Sequence, residues 1–117
     1  MALESDLMTL LRAECPRVHV GTAPYGTQQP YVTWQHIGGE SLRYTDNTPA
    51  DKRQPLIQLN VWDTPALAAF ELIQRIVERL CLAEAFQAEP LGEPILAYDD
   101  ADIATGYLLT FSILGDR

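Results

Sequence analysis

A chain of 117 residues with 16 acidic and 8 basic side chains has the length of a single domain and a formal charge of −8. That charge argues against nonspecific affinity for nucleic acid or anionic membranes, both of which need a basic surface. Its 47% hydrophobic and 21% charged residues are those of an ordinary globular chain, and no apolar run approaches the roughly 18 residues of a membrane span.

The opening MALESDLMTLLRAECP lacks a basic segment ahead of its apolar residues, so it does not read as a secretory signal and a cytoplasmic compartment is expected. Leu3, Leu7, Leu10 and Leu11 form a narrow apolar stripe on a short helix. Cys15-Pro16 ends it, because a residue before proline is pushed out of the helical region. Arg17–Val20 reads as a brief strand with Val18 and Val20 on one face, and GTAPYGTQQP (21–30) as a loop. Tyr31–Ile37 alternates as a strand around Trp34, until Gly38-Gly39 interrupts it as a bulge or turn. Glu40–Thr45 extends this strand as an arm, and DNTPADKRQP (46–55), the most polar stretch of the chain, reads as a long loop of the kind that is commonly functional or mobile.

The chain is organised around residues 56–83. In Leu56–Trp62, Ile57, Leu59 and Val61 point one way while Gln58 and Asn60 point to a wetter side. The period then changes: Thr64 is expected as an N-cap and Pro65 as the first helical residue. Leu67, Phe70, Ile73, Val77 and Leu80 make one stripe, widened by Ala69, Leu72, Ile76 and Cys81, with Gln74, Arg75, Glu78 and Arg79 opposite. AFQAEPLGEP (85–94) reads as a turn region, Ile95–Tyr98 as a short strand, and DDAD (99–102) as a turn. The closing strand alternates Tyr107, Leu109, Phe111 and Ile113 with Leu108, Thr110 and Ser112. The expected fold class is α+β: a mostly antiparallel sheet of about five strands, two helices packed on one face, in the order α-β-β-β-α-β-β.

Chemistry finds little foothold in this pattern. The serines Ser5, Ser41 and Ser112 lie in no nucleophile-elbow setting. His19 and His36 fall on neighbouring strands but have no second ligand at metal spacing. Asp99, Asp100 and Asp102 lack the glycine and terminal glutamate of a calcium loop and read as a solvated turn. Gly38-Gly39 is not a phosphate loop, and Cys15 and Cys81, each at a helix end, are expected as reduced core thiols. Trp34, Trp62, Tyr31 and Tyr107 offer either a ligand-stacking platform or, in keeping with the area each ring buries, ordinary packing. No enzyme, cofactor or metal site is expected. The candidate partner-binding residues are those of the polar arm: Arg43, Tyr44, Thr45, Asp46, Asn47, Asp51, Lys52 and Arg53.

Four segments in their order and spacing, MALESDLMTLLRAECPRV, PYVTWQHIGGES, LIQLNVWD with its Ala- and Leu-rich helix, and YLLTFSI, resemble the tail-completion or tail-terminator family of long-tailed bacteriophages and prophages. The resemblance covers nearly the whole chain. It implies a small α+β subunit that assembles with copies of itself into a ring, typically a hexamer, at the head-proximal end of the tail tube. The expected partners are then self, the tail-tube protein and a head–tail connector protein, first in the host cytoplasm and then in the virion tail. No catalytic residue is carried over by the resemblance. Acidity fits a DNA conduit, which should repel phosphate, and equally fits solubility alone. Two other classes remain: an adaptor or inhibitor binding a partner protein through the same arm, and a ligand-binding or enzymatic domain with a dispersed site.

Overall fold

The apolar alternation of the closing strand extends well beyond its predicted ends, and this strand forms the spine of a six-stranded sheet. The computed structural model of the protein describes residues 3–24, 26–99 and 104–116. Its elements are α1 (Leu3–Glu14), β1 (Val18–Val20), β2 (Tyr31–Glu40), β3 (Lys52–Trp62), α2 (Ala66–Cys81), β4 (Phe86–Pro90), β5 (Ile95–Asp99) and β6 (Ala104–Asp116). The fold is α+β, with strand order β1-β2-β3-β6-β4 and β5 also paired to β6. Among the described residues, only β1 and β2 pair in parallel; the other hydrogen-bonded pairs are antiparallel. β4 pairs with residues 111–115 of β6 and β5 with residues 104–108, so the two short strands lie end to end along one edge.

The register fixes two faces. Val32, Val61 and Tyr107 share one side, as do Trp34, Leu59 and Leu109, and His36, Ile57 and Phe111. Against this side pack Leu3, Leu7 and Leu11 of α1 and Ala69, Leu72, Ile73, Ile76 and Leu80 of α2, forming one core. Trp34 is buried and donates its Nε1–H to Met8 Sδ at 3.0 Å, which fastens α1 to the sheet. Glu14 of α1 meets Arg79 of α2 at 3.0 Å and Arg75 at 3.4 Å across the helix pair.

Several boundaries depart from the sequence expectation, each for a local reason. There are six strands, not about five, because part of the 85–94 turn region is strand: Phe86 is buried against Gly115, and Pro90 is tolerated at the end of an edge strand, where no outer partner needs its missing N–H. Residues Lys52–Pro55 belong to β3, not to a loop. Pro55 sits opposite Gly39, beside a register shift between His36 and Gly38, where the ladder is already irregular. Thr64 is not the N-cap. Its hydroxyl donates to Gln29 Oε1 at 2.8 Å, and Pro65 occupies the cap position with no side-chain cap bond. Leu67 is 66% exposed and Cys81 is also exposed, since the sheet covers only the centre of the α2 stripe. Cys15 is a buried free thiol as expected, and Cys81 is free but outside the core. Burial pushes the Cys15 thiol up, against a weaker opposing hydrogen bond at Arg17. Of the acidic turn, Asp99 ends β5, while Asp100 and Asp102 lie outside the described residues.

Candidate partner-binding surfaces

Past the Gly38-Gly39 interruption β2 stays paired with β3 as far as Glu40 and Gln54, where β3 is still in register with β6, and the chain beyond them, residues 41–51, is the arm. Gln35–Glu40 are exposed although they are strand residues, and the molecule measures 50 × 26 × 24 Å. Past the strands, Arg43 and Pro49 form an isolated antiparallel bridge, and Ala50 N–H donates to Leu42 O at 3.1 Å. The tip is an ordered turn: Asn47 takes φ 69°, its N–H donates to Tyr44 O at 2.8 Å, and Tyr44 N–H donates to Thr48 O at 2.9 Å. Asn is among the few residues that tolerate this left-handed conformation. Asp46 accepts both the Thr48 hydroxyl (2.7 Å) and its N–H (3.1 Å), which hold its carboxyl below the usual carboxylate range.

The structure brings Arg43, Tyr44, Thr45, Asp46 and Asn47 together at this tip. Asp51 joins them through Tyr44, whose hydroxyl donates to Asp51 Oδ1 at 3.3 Å. Lys52 and Arg53 are elsewhere, on β3, and turn toward the body: Lys52 pairs with Asp116 of β6, and Arg53 donates to both oxygens of Glu4 at 2.7 Å. Arg53 is therefore a clamp at the arm's root. His36 Nε2 lies 2.9 Å from the same carboxylate, so α1, β2 and β3 converge on Glu4. His19 and His36 do not meet, because His19 is in register with Thr33 on the other side of the sheet. Among the described residues, no group of three or more His, Cys, Asp or Glu side chains is placed to hold a metal ion.

Glu4 makes the arm's root sensitive to acid. Burial raises its pKa, but hydrogen bonds from His36 and Arg53 outweigh burial and leave it lowered. A carboxylate with a depressed folded-state pKa contributes stability above its unfolded pKa, and loses it as pH falls through the folded value. Urea unfolding midpoints of the wild-type protein should thus fall faster than those of Glu4→Gln as pH drops through the carboxylate range, and the two should converge in acid. Parallel profiles would remove Glu4 from the stability of the arm.

The side of the sheet opposite the helices is a second surface, and sequence reasoning did not single it out. By alternation it carries Tyr31, Thr33 and Gln35 of β2, Gln54, Leu56, Gln58, Asn60 and Trp62 of β3, and Gly106, Leu108, Thr110, Ser112 and Leu114 of β6. By the same register Glu40 (opposite Gln54), Glu89 (opposite Ser112) and the Lys52–Asp116 ion pair also lie on this side, toward the arm, so the face is charged at that end and its strands carry no Asp, Glu, Lys or Arg around Tyr31, Gln58, Asn60 and Trp62. At its far end from the arm, Tyr31, Thr33, Gln35, Gln58, Asn60 and Trp62 line a cleft of about 280 Å³, walled by residues 21–23. Gly21 N–H donates to Trp34 O at 2.8 Å, which ties that wall to β2. The Tyr31 and Trp62 rings stack with centroids 6.3 Å apart at 28°. Of the aromatic residues considered as a stacking platform, these two are on the open face; Trp34 lies in the helix-side core, and Tyr107 packs against it. The signal available in the sequence was chemical: the wet side of Leu56–Trp62 bears Gln and Asn where a merely solvated strand would bear Lys or Glu.

Compared with known proteins, the chain matches no family model and no curated protein. Among the described residues, no helix is long and apolar enough to cross a membrane.

Proposed function

We propose that this chain is a structural subunit of a bacteriophage or prophage tail, with no catalytic role. Copies of it close into a ring, a hexamer in the assembled tail, which ends growth of the tail tube and joins it to the head. Its partners are itself, the tail-tube protein and a head–tail connector protein, met in the host cytoplasm and retained in the virion tail. It binds no specific nucleic acid sequence.

The observation that carries this reading, beyond the resemblance of the sequence segments, is the arm. A hairpin extension whose residues 36–49 are almost wholly exposed, yet ordered by its own turn and clamped at its root by Glu4 and Arg53, is built to reach another chain. Within its own chain the arm tip buries almost nothing, so holding it in shape yields little stability to the isolated subunit.

Replacing Leu42–Ala50 by Asn-Gly tests this. Leu42 and Ala50 are already hydrogen-bonded neighbours across the hairpin, so a two-residue turn closes the shortened arm and leaves Arg53–Glu4 in place. The melting temperature should stay near wild type, since loop length carries a small entropic term. Tails made with the shortened protein should be unterminated, overlong or unable to join heads. Infectious particles at wild-type yield would overturn the reading, and loss of a different partner with normal tails would mark the adaptor class instead.

A further inference from the structure

The cleft at the end of the open face remote from the arm has the lining of a small-molecule site. Its floor is three rows of the β2–β3 ladder: Tyr31 opposite Trp62, Thr33 opposite Asn60, and Gln35 opposite Gln58. Tyr31 and Thr33 are buried although they face away from the helices, with residues 21–23 as the wall beside them. The Trp62 indole reaches across Gly106 of β6, where an added Cβ would stand 2.8 Å from its Cε3, so the missing side chain makes room for it. We propose that this cleft binds one pyranose unit of a neutral sugar. The site stands apart from the tail reading, and tail assembly neither requires nor tests it.

Two classes of ligand are excluded by the lining. Among the described residues no charged side chain lines the cleft, and the charges of this face, Glu40, Glu89 and the Lys52–Asp116 pair, lie toward the arm. A phosphate, carboxylate or amine would enter without a counter-charge and give up its hydration uncompensated. A wholly apolar ligand fails for the opposite reason. It would strip water from Thr33, Gln35, Gln58 and Asn60 and leave their polar groups unpaired. The occupant is therefore neutral and carries hydrogen-bonding groups around its rim.

The polar groups select hydroxyls. Gln58 Nε2 donates to Asn60 Oδ1 at 3.3 Å, which leaves Gln58 Oε1 as an acceptor and Asn60 Nδ2 as a donor. An acceptor beside a donor matches two adjacent hydroxyls, each of which both gives and takes a hydrogen bond. Thr22, Thr33 and Gln35 place further hydroxyl and amide groups around them. The Tyr31 and Trp62 rings, stacked at 28° with centroids 6.3 Å apart, form the apolar part. Aromatic faces carry negative potential, and the C–H face of a pyranose, polarised by its oxygens, docks on such a surface. The two rings pair with each other at this distance, so a planar nucleobase does not slide between them. Volume sets the size: about 280 Å³ lies at the bottom of the roughly 300–1,000 Å³ range of ligand sites, which suits one sugar unit and not an oligosaccharide.

The test titrates the full chain with D-glucose, D-galactose, D-mannose and N-acetyl-D-glucosamine, followed by tryptophan fluorescence and by proton–nitrogen correlation NMR. At least one sugar should saturate at about millimolar concentration, the strength that a few neutral hydrogen bonds and one stacked face provide. It should shift the side-chain amides of Gln58 and Asn60 and the indole N–H of Trp62, and leave the helices unmoved. Asn60→Ala should weaken binding about tenfold, the scale of one lost hydrogen bond, with the melting temperature near wild type. Should that variant misfold, the shift map of the wild-type protein decides alone. The absence of a saturable shift at Gln58, Asn60 and Trp62 with all four sugars would overturn the proposal. Uridine or adenosine binding there while the sugars do not would replace hydroxyl recognition by base stacking and overturn it too. D-glucuronate binding as tightly as D-glucose would overturn a site defined by neutrality.

Discussion

Ile73→Asp should abolish folding. Ile73 is fully buried at the centre of α2, facing the sheet residues that form the core. The substitution removes an aliphatic side chain worth about 1.5–3 kcal/mol of burial. It also sets a carboxylate in an apolar environment with no partner, a cost of about 3–5 kcal/mol even after relaxation. Their sum is on the order of the whole stability of a domain this size. Expression should yield insoluble protein, or soluble protein without a cooperative thermal transition by circular dichroism. Val77 is the instructive neighbour: it is only partly buried at the margin of the same core, so an aspartate there has a route to water. A soluble Ile73→Asp variant melting near the wild-type temperature would mean that α2 buries a different face.

The contrast between Ile73 and Leu67 shows what the sequence could and could not convey. Both sit on the helical stripe, and periodicity treats them alike. Leu67 is exposed because the chain enters α2 at the sheet's end, and where a helix begins relative to its support is a tertiary fact. The strongly alternating segments, 31–37, 56–62 and 107–113, were legible because a period of two with one buried face admits a single local solution. Phe86–Pro90 was not: two prolines in ten residues signal a turn, and only the free edge of β6 lets Pro90 end a strand without losing a ladder bond. The same limit governs the candidate sites. Of the polar residues singled out on the arm, Arg43–Asn47 and Asp51 lie at its tip, but Lys52 and Arg53 belong to the body because they pair with Asp116 and Glu4, distant in sequence. The open face was invisible as a unit, since its members are scattered over three strands and are joined only by register.

Gly106→Val should destabilise the sheet where β6 is paired on both sides, with β3 and β5. Gly106 is in register with Trp62, and the Trp62 indole lies over it: a Cβ placed on Gly106 would meet Val61 O and would stand 2.8 Å from Trp62 Cε3. The carbonyl belongs to the neighbouring strand's backbone and cannot swing aside, so β3 and β6 must separate or the strand must bend. Gly39 is crowded too, with Pro55 Cα 2.6 Å from its would-be Cβ at φ +126°, but there the arm can unpair beyond the bulge and spare the core. Gly106 has no such outlet, because β3 and β5 flank it on both sides. Overpacking of this kind costs about 1–3 kcal/mol, and displacement of Trp62 from its seat adds lost burial, for a total on the order of 3–4 kcal/mol. The thermal midpoint should fall by ten degrees or more, at about 4–8 °C per kcal/mol for a small domain. Because Trp62 also walls the cleft, its fluorescence should shift toward that of solvent-exposed indole even in the fraction that remains folded. An unchanged midpoint together with an unchanged emission maximum would show that Trp62 does not lie against Gly106, and that the floor of the cleft is built differently.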